Sequence, residues 1–480
     1  MLTLILILIP FITGLAVLFI KNPVVVKKFT IATSFAGLAF TFFVLAAFIK
    51  GTGSFDFNHT WIPAIGVNFH VGIDGLSMLM VLLTNLLSPF IYLSGMNKEQ
   101  PRTNIFYALM LFMQAAMLGV FTSLDGFLFY IFWELSLIPI YFIVLLWGGK
   151  RRQIITLKFF IYTLLGSLLM LIAFIFLYFK TPNGTWELAD FIRLNLPAQA
   201  QGVLFWFIFL AFAIKMPIFP LHTWQPDTYT TAPSQGTMML SSIMLKMGIF
   251  GVLRWLLPVL PLGASQWGTT AMILAIIGIV YASFIALKQN DLKTLVAYSS
   301  IAHVGLIAAG LFSGTLIALQ GAAFQMLVHG INIVALFYII ELIERRMNTR
   351  EISHLGGIKN RAPLFSAVFM IVMLGTIALP LTNGFVGEFL LITGIIHQGI
   401  WYAVFAALTM VMGAIYMLSV YQKVMLGETN SLTATFTDIK GVELWVLIPL
   451  AALVILLGVY PQPVLDLTSG VFEQLFKVAL

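Results

Sequence analysis

The chain contains no cysteine. Thiolate-held zinc, iron–sulfur clusters and disulfides are therefore excluded within it. No G-x-G-x-x-G fingerprint follows a strand-like run, and no G-x-x-x-x-G-K-[ST] loop occurs. The fragments GTG (51–53) and GGK (148–150) are too short to cradle a phosphate. The chain is thus expected to bind neither nucleotide nor redox centre by itself. Charge is scarce as well: Asp, Glu, Lys and Arg make up 9% of the 480 residues, against 60% hydrophobic. A soluble protein of this size needs far more charge to cover its surface. The ten-residue alternating segments of a transmembrane barrel are missing too.

What is present is a series of apolar runs of 18 or more residues from end to end, the pattern of an all-α, polytopic membrane protein. The pattern predicts about 14 transmembrane helices: three in 1–103, five in 104–257, five in 268–426 and the last in 442–480. Segment seven is expected to break around Met216–Pro220. Segment twelve, over 363–396, is too long for one straight span and carries LPLTNG (379–384), so it reads as a second broken helix. Two interrupted helices five segments apart point to an ion site in a transporter built from inverted repeats, here spans 4–8 and 9–13. The first segment has no basic residues before it, and Lys21, Lys27 and Lys28 follow it. It is expected to stay in place as a span rather than be cleaved. The net charge of +7 belongs to loops and is no nucleic-acid signal. About two thirds of the 25 lysines and arginines fall in loops assigned to the cytoplasm, whereas Lys50, Lys180, Arg193, Arg254 and Lys477 fall on the other side. This bias places both termini outside.

Six ionisable residues lie inside apolar spans: Glu134, Lys215, Lys246, His303, His329 and Glu388. A charge at the bilayer centre costs about 2.5–3.5 kcal/mol on insertion scales, so such residues pair or work. Glu134, in FYIFWELSLIPIYF, is followed by Pro139, which frees the carbonyl of Leu135. Pro217 and Pro220 leave the carbonyls of Ala213 and Met216 without their helical donors. In low dielectric these carbonyls need another donor, and water or the Lys215 ammonium can serve. The break therefore makes a polar pocket in which a nearby carboxylate can set the lysine's proton affinity. The competing view of Lys215 is a proline kink with a snorkelling side chain, and of Glu134 a structural ion pair. Ser241 and Ser242, one turn before Lys246, suggest a hydrated path. A lone histidine in a helix is usually a packing residue, but His303 and His329 in neighbouring spans, between Lys246 and Glu388, favour a proton relay. Glu388 follows the second break, where Gly384 and Gly387 allow close backbone approach; its alternative is a protonated carboxyl in a packing niche. Glu341, beside Glu344, Arg345 and Arg346, reads as a solvated helix end. His222 and Asp227, in PLHTWQPD, read as structural, with Asp227 capping the next helix or pairing with a loop base.

The stretches FYIFWELSLIPIYFIVLLWGGKRR (129–152), AIKMPIFPLHTWQPDTYTTAPSQGTMMLSSIMLKMG (213–248) and LTNGFVGEFLLITG (381–394) resemble the antiporter-like proton-pumping subunits of respiratory complex I, NADH:quinone oxidoreductase. The likeness extends to LGVYPQPVLDLT (457–468). Glutamate rather than lysine at 388, and an end at residue 480 without a long lateral helix, resemble the M type more than the L or N type. The resemblance implies that Glu134 and Lys215 are the coupling pair, Lys246 the central proton carrier, His303 and His329 the connecting relay and Glu388 the exit-side carrier. It implies that NADH, FMN, iron–sulfur clusters and quinone belong to partner subunits. It further implies L-type and N-type sister subunits and small K-, J- and A-type subunits in a bacterial plasma membrane. The middle block is shared with multi-subunit sodium/proton antiporters. That gives one alternative; a non-pumping scaffold of the membrane arm is the other.

Overall fold

The computed structural model describes residues 1–479; the side chains of 476–480, that of Lys477 among them, lie outside the described residues. In chain order the elements are α1 (Leu2–Leu18), α2 (Pro23–Ile49), β1 (Phe57–Ile62), β2 (Val67–Val71), α3 (Gly75–Ser94), α4 (Thr103–Thr122), α5 (Gly126–Leu135), α6 (Leu137–Trp147), α7 (Arg152–Lys180), α8 (Leu188–Arg193) and α9 (Ala198–Lys215). Then come α10 (Trp224–Thr231), α11 (Ser234–Met239), α12 (Lys246–Gly251), α13 (Pro261–Leu287), α14 (Leu292–Leu311), α15 (Leu316–Met347), α16 (Pro363–Thr376), α17 (Asn383–Ile396), α18 (Ile400–Met425), α19 (Val442–Val459) and α20 (Gln462–Ala479).

Among the described residues, twelve helical segments are long and apolar enough to cross a membrane. Two of the expected segments fall short of that length as single helices: the first is α1, and the twelfth is the pair α16 and α17. Helix starts follow local chemistry. Asp74, Asp125, Asp291 and Thr315 each stand at an N-cap, their side-chain oxygens accepting from the first-turn amides of α3, α5, α14 and α15. Both expected breaks are present. α9 stops at Lys215, and the chain turns before α10; α16 stops at Thr376, and α17 starts at Asn383.

Four features differ from the sequence expectation. The chain is not purely helical, because β1 and β2 form an antiparallel hairpin, with Asn58 opposite His70 and a left-handed Gly66 at the turn. Span five is itself interrupted at Ser136, between Glu134 and Pro139, where the proline withholds a helical amide. Span eight contains two π-helical turns, Leu240–Met244 and Val252–Leu256, on either side of α12. Glu341 is not a solvated end: it is 4% exposed. The neighbouring Arg345 and Arg346 turn instead to Glu443 in the first turn of α19, at 2.5 and 2.6 Å.

The described residues form two compact units. The first comprises Met1–Met216, Ile243–Thr269 and Leu467–Leu480. Here α1 packs on α2 and α4, α7 on α9, and α9 on α12. A chain of buried side chains, Tyr92 to Gln114, Gln114 to Asn85 and Asn85 to Thr41, satisfies the polar groups of α2, α3 and α4 at 2.8 Å each. The second unit comprises Pro217–Ser242 and Thr270–Asp466. Its centre is α15, flanked by α11, α14, α16, α17 and α19. α17 approaches α15 closely because a Cβ on Gly321 would stand 2.9 Å from Leu390 and 3.2 Å from the Gly387 carbonyl.

The hairpin is fastened by a histidine. His70 Nδ1 lies 2.6 Å from Glu187 Oε2 and its Nε2 2.8 Å from Asp56 Oδ1. Asn68 donates its side-chain amide to Glu187 and its backbone amide to Asp125. Burial disfavours the charged ring, but the hydrogen bonds and charges of Glu187 and Asp56 outweigh it and raise the His70 pKa. Burial acts against the Glu187 carboxylate as well; the bonds from His70 and Asn68 prevail and lower its pKa. Burial pushes Asp125 up to about 6, against the amides that hydrogen-bond it. His70 therefore contributes stability that is full below 6.5 and is lost as pH rises through its raised folded value. Glu187 contributes above 4.5 and loses it as pH falls through its lowered value. Asp125, raised like His70, loses its contribution as pH climbs through about 6. Hydrogen exchange over 57–71, corrected for intrinsic rate, is expected to accelerate as pH climbs past the His70 transition. His70→Ala removes that step; an unchanged step in the variant would show that His70 is not the fastener.

Candidate functional site

In the first unit the break after α9 sets Lys215 at the last helical position, 2% exposed, with its Nζ 5.2 Å above the Trp133 ring. Glu134 follows Trp133 as the penultimate residue of α5, just before the Ser136 interruption, so two broken helices present the carboxylate and the ammonium. The groups that act on Glu134 are the Ser167 hydroxyl and the Lys215 charge. Neither Lys215 Nζ nor Glu134 Oε1 has a hydrogen-bond partner among the described residues. The two groups thus act on each other without a direct bond, and of the two donors considered for the freed carbonyls the Lys215 ammonium does not serve.

Lys246 opens α12 in the same unit and is fully buried. Two residues on, a Cβ at Gly248 would meet the Phe212 carbonyl at 2.7 Å, and one at Gly251 would meet the Phe212 ring at 2.5 Å. Only glycine at both positions lets α12 lie against the end of α9 that carries Lys215. The hydroxyls of Ser241 and Ser242 donate back to the carbonyls of Thr237 and Met238 at 2.8 and 2.6 Å, which leaves their oxygens' lone pairs for other donors.

In the second unit, His303 from α14, His329 from α15 and Glu388 from α17 come together. His303 Nδ1 is 2.8 Å from Glu388 Oε1, and the two imidazole centres are 6.2 Å apart. All three residues are at most 5% exposed. Glu388 Oε1 also accepts from Gln325 at 3.4 Å, while Oε2 is buried without a hydrogen-bond partner among the described residues. His329 Nε2 is 3.2 Å from the Ser300 hydroxyl. A cavity of about 10 Å³, the size of one water, opens onto both histidines, Gln325, Asn332, Ser299 and Thr376. Asn332 and Asn383 exchange amide hydrogen bonds at 3.1 and 3.0 Å, tying the start of α17 to α15.

The six expected residues therefore fall into two sets, Glu134 with Lys215 and Lys246 in one unit, and His303 with His329 and Glu388 in the other. Gln325, Asn332, Ser299 and Tyr416 were missed by sequence reasoning. Gln325, His329 and Asn332 recur at i, i+4 and i+7, one face of a helix, and that polar stripe in an apolar span was the available signal. His222 is 4% exposed and stacks near Phe219 and Tyr281, consistent with a structural role. The N-cap of α11 is Pro233, so Asp227 does not cap that helix.

Residues 123–413 match the family model described as NADH:quinone oxidoreductase/Mrp antiporter, transmembrane. The chain belongs to this antiporter family. Its relatives include NADH-quinone oxidoreductase subunit M of Rickettsia prowazekii, 41% identical over 89% of this chain and 87% of that protein. Among solved structures, a chain of respiratory complex I from Thermus thermophilus with bound NADH superposes with TM-score 0.92 at 29% identity, covering all of both chains. A chain of the Mrp complex from Dietzia has TM-score 0.89 at 21% identity, covering 99% of this chain and 97% of that one, and shares the fold. The matched family region contains all six ionisable residues, both breaks and the π-helical turns. As a family member the chain is a multi-pass membrane subunit of an oxidoreductase-type assembly, and among the described residues no group of three or more His, Asp and Glu is placed to hold a metal ion.

Proposed function

We propose that this chain is a proton-translocating membrane subunit of NADH:quinone oxidoreductase, coupling electron transfer in its partners to proton movement through its own buried side chains. The observation that carries the reading is the His303–Glu388 contact at 2.8 Å, beside His329 and a water-sized cavity, in the core of a membrane protein. Imidazole and carboxylate can each take up and release a proton, and a hydrogen bond between them is a transfer path. A proton loaded on Lys246 passes to the histidines. His303 accepts at Nε2, releases from Nδ1 to Glu388 Oε1, and Glu388 is the exit-side carrier. Lys215 and Glu134 act by charge. A change in their separation alters how firmly the buried lysines hold a proton, and one pKa unit corresponds to about 1.4 kcal/mol.

The relatives' names support NADH-to-quinone electron transfer in the assembly, and the family resemblance adds FMN and iron–sulfur clusters, with NADH and quinone, to the partner subunits as part of the proposal. The family resemblance adds L-type, N-type and small K-, J- and A-type neighbours in a bacterial plasma membrane as part of the proposal. Two broken helices in comparable positions support the inverted repeats over 104–257 and 268–426, and the loop charges support termini on the outer side.

The deciding experiment purifies the complex by a tag on this chain and reconstitutes it in vesicles. Flavin and iron–sulfur subunits are expected to co-purify, and NADH with quinone is expected to drive proton uptake. Sodium-dependent proton exchange without NADH, and no flavin partner, would move the chain to the antiporter branch. Lys215→Ala is expected to leave the complex assembled but to lower coupled quinone reduction and pumping together, several-fold. Normal rates in assembled complex would exclude the coupling role, and Glu134→Ala serves as the companion variant.

A further inference from the structure

Two prolines of the first unit lie inside helices that the proposed relay does not use. Pro10 is within α1 and Pro89 within α3. Proline has no N–H, so each leaves the carbonyl four residues earlier without its helical donor. Those carbonyls belong to Leu6 in α1 and Asn85 in α3. In a membrane interior a freed carbonyl is served by a side chain or an ordered water. Leu6 and Asn85, from two different helices, line one cavity of about 10 Å³, the size of a single water. α2 and α4 supply its remaining walls.

The lining is rich in acceptors. Thr13, Thr33 and Ser34 border the cavity, and each hydroxyl donates to a carbonyl of its own helix, of Ile9 at 2.7 Å, Phe29 at 2.9 Å and Ile31 at 2.8 Å. Their hydrogens are committed, while their oxygens still carry lone pairs. Gln114 and Asn85 each give one N–H to the polar chain, to Asn85 Oδ1 and Thr41 Oγ1 at 2.8 Å. Each of these amide nitrogens carries a second hydrogen. A guest that gives two hydrogen bonds and accepts one fits this set, and water is such a guest. Gly37 provides the room. It is buried in α2 and lines the cavity, and a Cβ added there would meet only Ile9, at 3.6 Å. At Gly14 and Gly119 in the same unit, a Cβ would instead run into a neighbouring phenylalanine at 2.8 and 2.4 Å.

We propose that this cavity is a binding site for one internal water molecule, which donates to the carbonyls freed by Pro10 and Pro89 and accepts from the Asn85 or Gln114 amide. The Tyr92–Gln114–Asn85–Thr41 chain connects α2, α3 and α4 but does not include α1. The water extends that chain to α1, so all four helices share one polar node. Gly37 keeps the space open. The site serves hydration and helix packing, not proton carriage, because the amides and aliphatic hydroxyls around it do not titrate near neutrality. It is therefore independent of the pumping role proposed above.

The test uses the whole complex. A cryo-electron microscopy map fine enough to show ordered waters is expected to contain one peak in the cavity. It should stand about 2.7–3.2 Å from the carbonyl oxygen of Leu6 or Asn85 and from an amide nitrogen. In Gly37→Ala, whose methyl enters the same space, the peak is expected to be lost. The half-life of the assembled complex at elevated temperature is expected to shorten several-fold, even though alanine is the better helix former. Gly37→Ser brings a hydroxyl to the water's place and is expected to keep the wild-type half-life, although serine is a poorer helix former than alanine. A wild-type map without the peak would overturn the site. So would a Gly37→Ala complex that outlasts the wild type, the result for a dry gap that a methyl fills. Should Gly37→Ala fail to assemble, the wild-type map and Gly37→Ser carry the test. A peak that disappears when choline replaces sodium in the buffer would reveal a cation and overturn the water.

Discussion

Lys246→Ala is expected to abolish NADH-driven proton uptake in vesicles while the complex remains assembled. Lys246 is fully buried where α12 begins, and the glycine contacts of that short helix press it against the end of α9. An alanine there can neither take nor give a proton, so the step it serves loses its carrier. Positioned proton transfer is worth about a hundredfold or more in rate. Truncation also leaves a void, and large-to-small changes in packed interiors cost roughly 2–5 kcal/mol. Lys246→Met is therefore the companion variant: it keeps the length of the side chain and lacks the amine. Loss of pumping in both, with normal complex content, is the expected outcome. Pumping at the wild-type rate in Lys246→Met would remove this residue from the path.

Glu388→Gln is expected to have an effect of comparable size for a different reason. The amide matches the carboxyl in shape, and its oxygen can still accept from His303 Nδ1, so the 2.8 Å contact and the packing against Gln325 persist. What disappears is the ability to take up and release a proton. Turnover is expected to fall about a hundredfold or more, whereas Glu388→Asp and Glu388→Lys, which keep a titratable group, retain part of it. The measurement is quinone reduction and proton uptake side by side with thermal stability. A Glu388→Gln complex that pumps normally would show that the carboxyl only packs.

Much of this arrangement could be read in advance because it is written in rare residues. Prolines at 217, 220 and 380 stand out in apolar runs, and each marks a helix that does end there. The six ionisable residues stand out for the same reason. Uncharged polar residues do not: Gln325, Asn332, Ser299 and Tyr416 are common in membrane helices, and only neighbouring helices give them their partners. Pro139 signalled the Ser136 interruption, but a single proline inside a helix can be tolerated, as Pro89 is within α3. The π-helical turns beside Lys246 have no side-chain signature in this sequence. Glu341 was misplaced because α15 continues past it to Met347, and the adjacent arginines, which suggested water, are held by Glu443. The hairpin at 57–71 lies between spans, where hydropathy conveys little about backbone form.

The reciprocal Asn332–Asn383 bond has an electrical consequence. Primary amides do not ionise near neutrality, and each of these two gives one N–H to the other's oxygen. Where Asn332 borders the histidine cavity, it contributes a polar group that does not titrate. On the proposed relay, the titratable neighbours of a proton held there are therefore the two imidazoles and, through His303, Glu388.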